Sequence, residues 1–270
     1  MRSGLSRFLP KTFESCGVIC SPLGRKATVD SIRFRQPLAV CPTEPFCFWL
    51  DDNIEIQVYK LNKVWVLEVA VFSLTRFANG RSSSLIRDYH DVMLDLNARI
   101  NLELNKRKQT IEFDAFLAEI IWLDLFNDLR FKNKSEMELH YENAKKIKIP
   151  ALPFTTDYDS TFYWHSGETL TTSTEVLRLY HKENRERTNQ SEELNRNKLR
   201  LEPSLQNYNR QKIVTTYAKR IKQPEVSYVV DTGNGTFLYQ NKYAANVFTL
   251  LNQYAIDTIF YHLSKDILHG

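Results

Sequence analysis

The stretch Glu175-Val-Leu-Arg-Leu-Tyr-His-Lys182 alternates apolar and polar side chains almost residue by residue, which is the period of a β-strand with one buried face. Successive strand side chains point to opposite faces, so Leu177 and Leu179 are expected on a core and Arg178, Tyr180 and Lys182 in a row opposite them. That row sets a phenol between two fixed cations. A tyrosine hydroxyl titrates near ~10 and attacks poorly at neutral pH, but adjacent cations favour its phenolate and would hold a phosphate against it. Attack on a phosphodiester is the chemistry such a row suits. The same pattern also describes a half-buried strand tyrosine whose charged neighbours reach to solvent.

Downstream, 183–197 is almost wholly polar and reads as an exposed loop or short solvated helix. Lys198–Glu202 is again strand-like, with Leu199 and Leu201 facing in and Lys198, Arg200 and Glu202 facing out. Pro203 and Ser204 then suit the opening of a helix carrying Leu205, Ile213, Tyr217 and Ile221. A hairpin around Asp231-Thr-Gly-Asn-Gly235 and a helix from Ala244 to about Leu263 end the chain.

Upstream, a strand is expected over Val29–Pro37, and a tight hairpin joins Ile54–Leu61 to Lys63–Phe72 around Asn62. Serines 82 to 84 can cap a helix whose Ile86, Tyr89, Met93, Leu96, Ile100 and Leu104 repeat every three or four residues. Phe116–Phe131 reads as a long strand with Leu117, Ile121, Leu123, Leu125, Leu129 and Phe131 on one face. Its other face carries Trp122, Asp124, Phe126 and Asp128. The two aspartates then lie about 13 Å apart, too far to share one metal on a regular strand. A second helix is expected from Ser135 to Ile147, a loop over Pro150–Ser160, and a hairpin over Thr161–Leu170 turning at Ser166-Gly167-Glu168.

This order of elements predicts an α+β fold, an antiparallel sheet with helices packed on one face. Residues 1–27 are basic and serine-rich, as a flexible arm or an organelle transit peptide would be, and the arm is the reading adopted. The main domain is expected over 28–230, with the terminal hairpin and helix of 231–270 packed on it. The net charge of +4 permits a polyanion partner, and Lys106-Arg107-Lys108, Lys132 with Lys134, Lys145-Lys146 with Lys148, and the run from Arg210 to Lys222 concentrate it. The four cysteines, Cys16, Cys20, Cys41 and Cys47, lack the spacing of a zinc knuckle and are expected as free thiols. No apolar run reaches the ~18 residues of a membrane helix.

Five stretches in order resemble the phage and plasmid replication initiators of the filamentous-phage gene II/X type. Val29-Asp-Ser-Ile-Arg-Phe34 resembles their first strand, and Ser73-Leu-Thr-Arg-Phe-Ala-Asn-Gly80 is similar to a Ser-Leu-Pro-Lys-Phe-x-x-Gly signature with Thr75 in place of proline. Trp122-Leu-Asp-Leu125 looks like an Arg-Ile-Asp-hydrophobic strand without its arginine. Leu177–Lys182 resembles a Lys-hydrophobic-Tyr-Asp-Lys strand, and Leu199-Arg-Leu-Glu202 its Leu-Arg-hydrophobic-Glu partner.

The resemblance spans roughly residues 28 to 205 and implies a rolling-circle initiator fold. It also implies a cytoplasmic, metal-dependent nickase that cuts single-stranded origin DNA, keeps the 5′ end on a tyrosine and frees a 3′ hydroxyl. Tyr180 would be the nucleophile and Lys182 the cation on the phosphate; Arg178, Lys198 and Arg200 would bind DNA, and Asp124 and Glu202 would ligate Mg²⁺ or Mn²⁺. A host helicase and polymerase are the implied protein partners. There is no His-x-His pair: His165 and His181 stand alone. A DNA-binding protein on the same scaffold without catalysis is the alternative, and an integrase-like recombinase is set aside because it needs a helical domain with His-x-x-Arg.

Overall fold

The fold is described by a computed structural model over residues 19–20, 27–40, 42–80, 86, 88–158, 160–182, 197–206, 226–231, 236–241, 250–251, 256–257, 259–261, 263–264 and 267. In chain order the elements are β1 (Ile19–Cys20), β2 (Thr28–Pro37), β3 (Phe46–Asp51), β4 (Ile54–Leu61), β5 (Val64–Val71), α1 (Leu74–Asn79), α2 (Tyr89–Lys106) and β6 (Glu119–Arg130). There follow α3 (Lys134–Ala144), β7 (Phe154–Tyr158), β8 (Thr161–His165), β9 (Glu175–His181), β10 (Lys198–Gln206), β11 (Val226–Asp231) and β12 (Thr236–Asn241). The architecture is α+β with an antiparallel sheet, as the order of elements led one to expect.

Two compact units share the chain, one of Thr28–Leu125 with Leu205–Ile259, the other of Phe126–Ser204 with Met1–Ala27 and Phe260–Gly270. In the first unit the strand order is β3-β4-β5-β2-β6, and in the second β6-β10-β9-β8-β7, with β6 giving its start to one and its end to the other. β11 and β12 pair separately, with Asp231 opposite Thr236 as the expected hairpin requires.

In the first unit Ile32, Phe34, Ile54, Ile56, Val58, Leu67 and Val69 are buried, and their alternation is what makes these segments strands. The β4–β5 hairpin closes with Leu61 opposite Val64, and Asn62 and Lys63 between them have φ of 51° and 72°. Two positive φ values give a turn whose twist matches that of the strands. α2 buries Tyr89, Met93, Leu96, Ile100 and Leu104, the expected stripe. The Tyr89 hydroxyl accepts from Val29 N at 3.1 Å and bonds Thr28 Oγ1 at 3.0 Å, which ties the helix to β2.

The Ser73–Gly80 signature is a short helix with both ends capped. Ser73 Oγ accepts from Arg76 N at 3.3 Å, and Gly80, at φ 68°, returns its N–H to Arg76 O at 2.8 Å. A side chain at position 80 would meet nothing within 4 Å, so only the backbone conformation needs glycine there. Gly80→Ala is therefore expected to cost about 1 kcal/mol in urea denaturation, the cost of a left-handed alanine.

Several expectations are corrected. α2 is capped by Asp88, whose carboxylate accepts from His90 N at 2.8 Å, and serines 82 to 84 lie outside the described residues. The expected loop at Pro150–Ser160 contains β7, which pairs with β8; Phe154, Thr156 and Tyr158 keep a strand period behind the misleading prolines. The segment 161–170 is not a hairpin: β8 turns into β9 through 166–174, where Ser173 Oγ donates to Thr169 O at 2.6 Å. β10 runs through Pro203 and Ser204 instead of starting a helix, because Leu199, Leu201, Pro203 and Leu205 hold one parity. The rest of that expected helix lies outside the described residues.

In the expected long strand, Leu117 precedes β6 and is exposed. Of the expected arm, Ile19–Cys20 forms β1 and pairs with Leu129 and Arg130. α3 begins at Lys134 with Asn133 as its cap and buries Met137, Tyr141 and Ala144, the side chains expected inward. Toward the C-terminus Ile256, Ile259, Phe260 and Leu263 are buried and helical within the expected helix, and Ile267, past its expected end, is buried and helical too. No described helix is long and apolar enough to cross a membrane.

Candidate active site

β9 and β10 carry the side chains on which the functional reading turns. Leu177 and Leu179 of β9 are buried, and Leu177 lies opposite Trp164 of β8. On the other face Arg178 lies opposite Tyr163 and Tyr180 opposite Thr161. Strand parity thus puts Arg178 and Tyr180 side by side, as their sequence implies.

Both reach one carboxylate. The Tyr180 hydroxyl donates to Glu202 Oε2 at 2.8 Å, and Arg178 Nη1 pairs with Glu202 Oε1. The face expected to be open is covered, since Tyr180 is only 4% exposed and Glu202 and Lys182 are buried with it. Lys182 follows the last residue of β9 and so lies beyond the strand row in which it was placed.

The two β10 cations expected to bind DNA are also buried. Arg200, 1% exposed, donates through Nε and Nη2 to the carboxylate of Asp128 at 2.6 and 3.1 Å and lies 3.6 Å from the centre of the Phe126 ring. These contacts make it a structural arginine. Lys198 is 4% exposed, and burial, helped by the charge of Arg130, holds its ammonium below the usual lysine pKa. Both side chains are thus as buried as Tyr180 and Lys182.

The sign for Lys198 follows from linkage. Its folded pKa is depressed, so between that value and 10.5 the unfolded chain binds more protons, and stability rises with pH across that window. Lys198→Met removes the buried charge and is expected to raise the melting temperature at pH 7 and to flatten the alkaline rise. A lower melting temperature would show that the ammonium has a compensating partner.

Asp124 is buried in the first unit, where its Oδ2 accepts from Ser31 Oγ at 2.5 Å. Glu202 has both oxygens engaged, and among the described residues no group of three or more His, Cys, Asp or Glu side chains is placed to hold a metal ion. Mg²⁺ and Mn²⁺ prefer several oxygen ligands, and each of these two carboxylates already holds side-chain partners within its own unit. Both histidines are engaged as well. His165 Nδ1 bonds Gly167 O at 2.7 Å and its Nε2 bonds Thr156 Oγ1 at 3.0 Å; His181 lies 3.5 Å from Glu138 and edge-on to Tyr141. Cys47 is a free exposed thiol.

No family model matches the chain, and no curated protein matches it. A solved structure does. It is similar to the rolling circle replication initiator protein from Geobacillus stearothermophilus at 11% identity, with 73% of this chain and 80% of that chain covered and a TM-score of 0.35. So distant a superposition carries no weight for chemistry, which rests on the side chains of this chain alone.

Sequence reasoning put Glu202 on the active face with Arg200 and gave it the role of a metal ligand, but did not assign it as the hydrogen-bond partner of Tyr180. It also left Asp128 without a role. The shared parity of Asp124 and Asp128 was visible, but which strand lay beside each was not. A second constellation went unnoticed in the first unit: the Tyr59 hydroxyl donates to Glu68 Oε2 at 2.5 Å, while Arg35 and Arg33 hold the same carboxylate at 3.1 and 3.3 Å. Its signal was Glu68 itself, the lone acid inside the apolar run Val64–Val71.

Proposed function

We propose that this chain is a DNA strand-transfer enzyme that nicks single-stranded DNA at a replication origin, with Tyr180 as nucleophile. The supporting observation is the Tyr180–Glu202–Arg178 arrangement: a hydroxyl hydrogen-bonded to a carboxylate that a cation orients in turn. That is the geometry of a nucleophile with its base. Tyr180 Oη forms the bond to phosphorus and passes its proton to Glu202 Oε2. The 3′ oxygen leaves and takes a proton from water, giving a 5′-phosphotyrosine and a 3′ hydroxyl. Lys182, one residue past β9, is the cation assigned to the phosphate.

One observation favours the second reading, a DNA-binding protein without catalysis. Tyr180 is buried and its carboxylate saturated, so a phosphate reaches Oη only after the side chains around it move.

The deciding experiment incubates labelled single-stranded origin DNA with the protein in Mg²⁺, Mn²⁺ or chelator, and looks for a denaturation-resistant adduct. Tyr180→Phe is expected to abolish the adduct while DNA binding persists. Because Glu202 loses a buried donor, the variant should also lose about 1–3 kcal/mol of stability. An undiminished adduct in the variant would move the nucleophile elsewhere. No adduct in the wild type under any of the three conditions would leave the binding-only reading.

A further inference from the structure

The β3-β4-β5-β2 sheet of the first unit has one face packed in the core and one face lined by polar and aromatic side chains. Register lays that second face out in rows. Trp49, Glu55, Ala70 and Arg33 are paired across the four strands in one row, and Cys47, Gln57, Glu68 and Arg35 in the next. Tyr59 and Val66 begin a third.

At the β3 end Trp49 stacks on Phe72, ring centres 5.3 Å apart and planes within 15°, yet the two remain 50% and 46% exposed. Large aromatic rings that stack in water and leave half their surface open form a platform for another flat ring. At the β2 end the side chains of Arg33 and Arg35 are 36% and 26% exposed. Among the described residues Arg33 donates to Glu68 through Nη1 alone, at 3.3 Å. A guanidinium has five N–H donors, so Arg33 keeps outward donors for an anion.

We propose that this face binds single-stranded nucleic acid laid across the strands, one base stacked on Trp49–Phe72 and a backbone phosphate held by Arg33 beside Arg35. Three strand spacings separate the row's ends, about 14 Å, a span that two successive nucleotides bridge. The arginines match the charge of a phosphate, and the aromatic pair matches a base without regard to sequence. Glu68 holds Arg35 through Nε and Nη2 and so fixes the cationic end in place. Glu55 lies between the two ends of the row, hydrogen-bonded by Gln57 Nε2 at 2.9 Å, and its charge opposes a polyanion there. The proposal rests on the reading of the chain as a DNA-processing protein and assigns the strand to a surface distinct from the Tyr180 site.

The test is fluorescence anisotropy with a labelled oligothymidylate on the full chain, over a range of salt, with melting curves for every variant. Trp49→Ala is expected to weaken binding about tenfold or more, as the loss of one stacked base does. Arg33→Gln is expected to weaken it and to reduce the salt slope by about one phosphate. Glu55→Gln should tighten binding, an effect that damage to the fold would not produce. Wild-type-like affinity in all three variants would overturn the proposal while leaving the function of the chain in place. Wild-type protein that binds no oligonucleotide at low salt would overturn both.

Discussion

Asp128→Ala is expected to destabilise the chain by about 3–5 kcal/mol, the penalty for removing one side of a buried ion pair. Arg200 is the reason. Its guanidinium is almost completely shielded from solvent, spans both Asp128 oxygens and lies on the Phe126 ring. Arginine cannot shed its proton to escape an apolar site, and its contact with the Phe126 ring is worth only a fraction of the attraction to Asp128. The double variant Asp128→Leu with Arg200→Met removes both charges and should recover most of the loss, since buried pairs replaced by apolar side chains are often neutral. Urea denaturation measures both. A single-variant loss below about 1 kcal/mol would mean that water reaches Arg200 once the carboxylate is gone.

Glu202→Gln should slow adduct formation by about 10²–10⁴-fold, the range that general-base catalysis contributes. The substitution preserves shape and leaves an amide oxygen to accept from Tyr180, but it removes the carboxylate proposed to take the proton and the charge that holds Arg178. Binding to DNA, measured separately, should hardly change, because the carboxylate is buried between its two partners. Rates are compared below the melting temperature of the variant, since Arg178 also loses its ion pair. A rate within a few-fold of wild type would assign the proton to another acceptor and reduce Glu202 to a sheet-bracing residue.

Much of this was legible in one dimension. The parity of 175–182 put Arg178 and Tyr180 on one face, the spacing from Tyr89 to Leu104 marked the buried stripe of α2, and Asn62 announced the β4–β5 turn. The errors have local causes. Serines 82 to 84 and Asp88 are all good caps, and propensity does not rank them by position. Pro203 looked like a helix start because it suits a first turn. The strand continued through it, since its parity with Leu201 and Leu205 was satisfied by the sheet.

Periodicity and turn chemistry are properties of neighbouring residues, so the α+β class, most strand faces and the pairing of β4 with β5 follow from the chain alone. Burial of both faces does not. A strand records which side chains alternate, and only the neighbouring strand decides whether the polar side meets water, an ion or a carboxylate. For that reason Tyr180 could be placed beside Arg178 by counting, whereas its bond to Glu202, 22 residues further along the chain, came from packing β10 in the sheet. Arg200 faces the same division: its parity was plain, but its burial against Asp128 and Phe126 came from the packing of β10 beside β6.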